Sequence, residues 1–96
     1  MSGPVPEDFC PRVSPGLIQA EIEDGLAIYD PRSTEVVFLN LSAQAVWSCC
    51  DGTGSVAEIA ADIAEVCKAD APSVLLEVRT LVADWHQRGL VGPGAL

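Results

Sequence analysis

Positive charge is scarce in this sequence: five lysines and arginines stand against fourteen aspartates and glutamates, for a formal charge of −9. A surface of that sign repels a phosphate backbone or an anionic bilayer over most of its area, so neither nucleic acid nor a membrane is expected as a partner. Histidine occurs once, and Cys10, Cys49, Cys50 and Cys67 include no Cys-x-x-Cys pair, so the ligands for a structural zinc are missing. No apolar run approaches the length of a membrane span, and residues 1–12 lack the basic start and apolar stretch of a secretory signal; the expected location is the cytoplasm. Nor is there a constellation of nucleophile, base and acid. His86 stands alone, and a lone histidine is not a catalytic site, so no enzymatic activity, cofactor or metal is expected.

What the sequence does have is a well-patterned middle. Ninety-six residues, 49% of them hydrophobic and 20% charged, suit one folded domain with a single modest core. Residues 1–15 carry Pro4, Pro6, Pro11 and Pro15 with little apolar periodicity and read as a flexible arm. Gly92-Pro93-Gly94 reads as the start of a frayed end over 92–96, which leaves 16–91 as the domain. Ile18, Ala20 and Ile22 alternate with Gln19, Glu21 and Glu23, the period of a strand wet on one face. Asp24-Gly25 supplies a turn into an antiparallel partner, residues 26–29. A second turn follows over 30–34, where Pro31 fixes φ and the Asp30 side chain can bond backbone two residues on. Val36, Val37, Phe38 and Leu39 are then apolar without alternation, as in a strand covered on both faces.

After Asn40 the period becomes helical. Ser42 is expected to cap a short helix carrying Ala43, Val46, Trp47 and Cys50 on its apolar side, ended by Asp51-Gly52. Ser55 and Glu58 match a capping box that opens a second helix with Val56, Ile59, Ala60, Ile63 and Cys67 along one stripe. Asp70, with Pro72 behind it, starts a third helix that runs to about Arg88 before Gly89. Two stripes run along that helix: Val74, Val78, Leu81 and Trp85, and, about 90° away, Leu75, Arg79 and Val82. One stripe suffices for packing on the other helices, which frees the second to face the sheet or a partner. Trp47, Trp85, Cys50 and Cys67 read as core, and Cys10 and Cys49 have no assigned role. The fold class is α+β: a three-stranded antiparallel sheet followed by three helices, similar to a winged helix-turn-helix.

In this order of elements, Leu39-Asn40, Ser42-Ala43, Val46-Trp47, Cys50-Asp51-Gly52, residues 56–59, and the later Leu81, Trp85 and Gly89-Leu90-Val91 together resemble the signature of the PqqD family of RiPP recognition elements. The resemblance implies a peptide-binding domain without catalytic activity. In that family the leader of a ribosomally made precursor adds as a strand to the third strand, its side chains entering a cleft beside the third helix. It is then presented to a modifying enzyme such as a radical SAM protein, a protease or a cyclase. Carried onto this sequence, the docking edge is Glu35, Val36, Val37, Phe38 and Leu39, and the cleft wall is Leu75, Arg79 and Val82 with Val78 between the stripes. Arg79 is the charged residue expected to pair with a leader carboxylate; a solvated Arg79, or one paired with Glu77 or Asp84, is the alternative. The longer turn over 30–34 and the adjacent Cys49-Cys50 depart from the family pattern. The competing reading from the same order of elements is a winged-helix DNA-binding regulator. It requires a basic recognition helix, whereas the second and third helices place Lys68, Arg79 and Arg88 among many acids.

Overall fold

A computed structural model describes residues 5–94. Its strands are β1 (Pro11–Val13), β2 (Ile18–Ile22), β3 (Gly25–Asp30) and β4 (Glu35–Asn40). The helices α1 (Leu41–Ser48), α2 (Val56–Cys67) and α3 (Ala71–Gln87) follow, and β5 (Val91–Pro93) closes the order. β2, β3 and β4 form the expected antiparallel sheet with β3 in the middle, and β1 pairs with β5 in a separate two-stranded ribbon. Among the described residues no helix is long and apolar enough to cross a membrane.

The sheet departs from the sequence reading in two places. The first turn is one residue early: Ile22 pairs with Gly25, so Glu23 and Asp24 make the turn and Gly25 is already strand. Gly25 is required there because a Cβ would collide with the backbone carbonyl of Leu39 on the neighbouring strand. Second, β2 is turned over. Its register places Gln19 opposite Ile28 and Ala20 opposite Ala27, and residues directly opposite share a face. The helices cover the face of Leu26, Ile28 and Leu39, each nearly inaccessible, so the polar members of β2 lie on the helical side. Gln19 Oε1 there accepts a 3.2 Å hydrogen bond from Trp47 Nε1. The outer face carries Ile18, Ile22, Val36 and Phe38, all exposed. Alternation distinguishes two faces but does not say which one the helices will cover. β4 follows the same rule: Leu39 is buried and Val37 half-buried, while Val36 and Phe38 stand in solvent, so this strand is not covered on both sides.

Helix starts follow their caps. Ser55 and Glu58 form the reciprocal box, with Glu58 N donating to Ser55 Oγ at 3.1 Å and Ser55 N to Glu58 Oε1 at 2.9 Å. Asp70 caps α3 through Ser73 N. α1 is capped by Asn40 and not by Ser42: Asn40 Oδ1 accepts from Ala43 N at 2.8 Å, which puts Ser42 inside the first turn. The core joins Leu26, Ile28 and Leu39 to Val46 and Trp47 of α1, Val56, Ile59 and Ala60 of α2, and Val78, Val82 and Trp85 of α3. Trp47 and Trp85 meet edge to face with ring centroids 5.2 Å apart. Cys50 is buried, and that burial pushes its thiol up to about 12. Cys67, expected in the core, is exposed at the end of α2.

The arm and the frayed end are corrected over the described residues; Met1 to Pro4, Ala95 and Leu96 lie outside them. Val5 is buried, and Pro11, opposite Pro93 in the ribbon, is fully enclosed. The carbonyls of Glu7 and Phe9 accept from Ala57 N and Val56 N, the unpaired donors at the start of α2, at 3.0 and 2.8 Å. Phe9 also packs edge-on against His86. Proline removed the periodicity that sequence patterning relies on, yet the segment's carbonyls remained available to satisfy a helix end.

Candidate functional site

β4 is hydrogen-bonded to β3 along one side, and among the described residues no strand lies along the other. In an antiparallel pair alternate residues aim N–H and C=O away from the partner, so half of the six residues of β4 offer unpaired backbone groups there. Beside that edge runs a cleft of about 340 Å³ between β4 and α3. Its strand side is Val37, Phe38, Leu39 and Asn40, with Ala43 and Trp85 lining it from α1 and α3. Its helix side is Glu77, Leu81, Asp84 and Arg88, whose spacing of four, three and four residues makes one stripe of a 3.6-residue helix.

Arg88 closes one end of the cleft. Its Nε donates to Asp84 Oδ2 at 3.0 Å, and Nη1 lies 3.7 Å from Glu35 Oε1 at the start of β4. All three side chains are around half exposed, so the pairs orient more than they stabilise. The loop before β4 is fixed independently. Asp30, 3% exposed, accepts from Arg32 N and Nε, both at 3.0 Å, as the sequence suggested for its backbone bond. The Arg32 guanidinium holds the Asp30 carboxyl below the usual carboxylate range. Arg32 Nη2 also donates to Gly89 O at 3.2 Å, tying the turn to the end of α3.

The structure thus gathers Glu35, Val36, Val37, Phe38 and Leu39 on the open edge, and it does not gather the expected cleft wall. Val78 and Val82 are 1% and 0% exposed, without reachable surface. Leu75 faces Ala57, Ala60 and Ala61 of α2. Arg79 Nε donates to Val5 O at 3.2 Å, with Nη1 3.8 Å from Glu7 Oε2, so this arginine holds the N-terminal segment on the far side of the helix. The wall is the stripe of Glu77, Leu81, Asp84 and Arg88. Its signal was in the sequence as one leucine framed by charges at helical spacing. In the sequence those acids read as solvated surface, and the contact between Arg79 and residue 5 has no sequence signature. Among the described residues no group of three metal-ligating side chains converges, and the four cysteines are unpaired. The arrangement can pair backbone with an extended chain along β4 and receive its side chains between β4 and α3.

Residues 25–91 match the family described as Coenzyme PQQ synthesis protein D (PqqD). Three solved structures share the fold. TbiB1 in complex with the TbiA(beta) leader peptide is 19% identical with a TM-score of 0.75, over 88% of this chain and 99% of that one. Lasso peptide synthetase B1 complexed with the leader peptide is 21% identical with a TM-score of 0.76, over the same shares. The solution structure of the PqqD truncation of Methylobacterium extorquens PqqCD, described as a functional and stand-alone RiPP recognition element, is 20% identical. Its TM-score is 0.76 over 95% of this chain and 96% of that one. No curated protein matches the chain in sequence.

Proposed function

The chain belongs to the PqqD family, and from that membership we propose that it is a non-catalytic peptide-binding protein. It captures the leader of a ribosomally synthesised precursor by strand addition to β4 beside α3 and presents it to a modifying enzyme. The observation that carries this reading is the open β4 edge running along a cleft whose lining includes Leu39, Leu81 and Trp85. Two of the proteins that share the fold were solved with leader peptides bound.

Strand addition satisfies the guest's backbone whatever its sequence, and the cleft supplies the choice of side chains. About four net hydrogen bonds at ~1 kcal/mol each and two buried apolar anchors at ~3 kcal/mol each gross roughly 10 kcal/mol. Ordering the guest removes ~2–5 kcal/mol, which leaves a Kd between about 1 and 200 µM. Such affinity suits a guest that must be handed on. The docking edge is Glu35 to Leu39, the helix side of the cleft is Glu77, Leu81 and Asp84, and the domain extends over the paired termini, residues 5–94. The enzyme that receives the guest is of the radical SAM, protease or cyclase kind, and the handover takes place in the cytoplasm. A DNA-binding role is disfavoured by α3 itself: its arginine, Arg79, is engaged with Val5, and Arg88 at its end is engaged with Asp84.

The test is a titration of isotope-labelled protein with the leader of a precursor encoded beside its gene, followed by amide NMR. The β4 amides and those around Leu81 are expected to move together. A spectrum unchanged at near-millimolar peptide overturns the proposal.

A further inference from the structure

Beyond the end of β4 lies a second pocket, of about 200 Å³, between α1, α2 and α3. Ala45, Val46, Ile63 and Val74 line it, and Glu77 is its one charged side chain. The volume equals roughly seven waters' share of liquid, room for one large side chain. Glu77 also lines the β4 cleft, so it stands where the two cavities adjoin. Its carboxylate is exposed and takes part in no ion pair among the described residues, whereas Asp84 and Glu35 share Arg88.

We propose that Glu77 sets the chemistry of the guest: a lysine or arginine pairs with it where the added strand ends, and a large apolar side chain next to that cation fills the second pocket. The inference rests on the leader-binding reading above. Three observations support it: the apolar lining, the unmatched negative charge at the junction, and the formal charge of −9 over the whole chain, which steers cationic segments inward. Spacing follows from the helix. Glu77 and Asp84 are seven residues apart, about 10 Å along α3, the length of about three strand residues. Val74 lies less than one turn beyond Glu77. The recognised segment is therefore a short β-prone run with a cation at one end and an apolar residue within about two positions of it.

The test uses a phage-displayed library of random 14-residue peptides, selected in parallel on the full chain and on its Glu77→Lys variant, with thermal melts showing that both are folded. The full chain is expected to enrich lysine or arginine beside a large apolar residue at least tenfold over acidic residues, and the variant to reverse that preference. Peptides that shift the β4 amides but show the same charge preference on both proteins overturn the role of Glu77 and leave strand addition standing. Selected peptides that leave β4 untouched, or no selected peptides at all, overturn both.

Discussion

Among the described residues the sheet has two open edges, and they differ in what lies beside them. β2 and β4 are both edge strands with a free row of backbone donors and acceptors. Every residue of β2 is exposed, and Glu21 and Glu23 beside it supply the charge by which natural edges discourage pairing. β4 instead runs along α3 with Leu39 buried, and its cleft is lined by Leu81 and Trp85. An edge alone offers hydrogen bonds to any extended chain. An edge with a helix alongside also offers places for side chains, which turns adhesion into selection.

The largest expected effect removes that difference. Leu81→Glu sets a carboxylate where a guest's apolar side chain would pack, and leader affinity should fall about 30-fold, or ~2 kcal/mol. Glu21→Arg on the β2 edge should change affinity less than twofold. Equal losses by calorimetric titration would show that the edges do not differ in the way described. Next comes Arg79→Ala, which releases the N-terminal segment on the far side of α3. Unfolding in urea should show a stability loss of about 1 kcal/mol with leader affinity unchanged; a matching loss of affinity would return Arg79 to the cleft.

The smallest effect is acid sensitivity at the entrance to β4. Asp30 has its carboxyl held low, first by the hydrogen bond from the Arg32 side chain. Its contribution to stability is therefore complete above the ordinary carboxylate value of ~4 and is lost as pH falls through the lower folded value. Asp51 and Asp70 shift the same way through Thr53 and Ser73. Melts from pH 5 down to pH 2 should show a decline that Asp30→Asn makes shallower; an unchanged slope would mean that the Asp30 bond to Arg32 does not hold the turn.

Most of the fold was legible because its signals are local. The capping box at Ser55 and Glu58, the Asp70 cap and the change of period after Asn40 each specify an element within a few residues. β4 was legible as a strand from its apolar run, but that run read as covered on both faces, and the open edge was implied only by the family resemblance. What failed was everything decided by a distant partner. The orientation of β2 depends on which face the helices cover, and the choice of stripe on α3 depends on a contact between Arg79 and Val5, 74 residues apart in sequence. The ends are not legible in the sequence because Pro11–Val13 finds its partner at Val91–Pro93, and a three-residue pairing leaves no periodicity to detect.

Asn40 is at once the last residue of β4 and the cap of α1, with no linker between strand and helix, and it sits opposite Gly25, where the two backbones nearly touch. The strand therefore cannot slide against the helical layer, and it gives any guest a fixed origin. Because successive side chains of an added strand point to opposite faces, a shift of one residue would turn every anchor away from the cleft. If a guest adds as a strand here, it can reposition only by an even number of residues, and its distance to any atom a partner enzyme modifies changes in dipeptide steps.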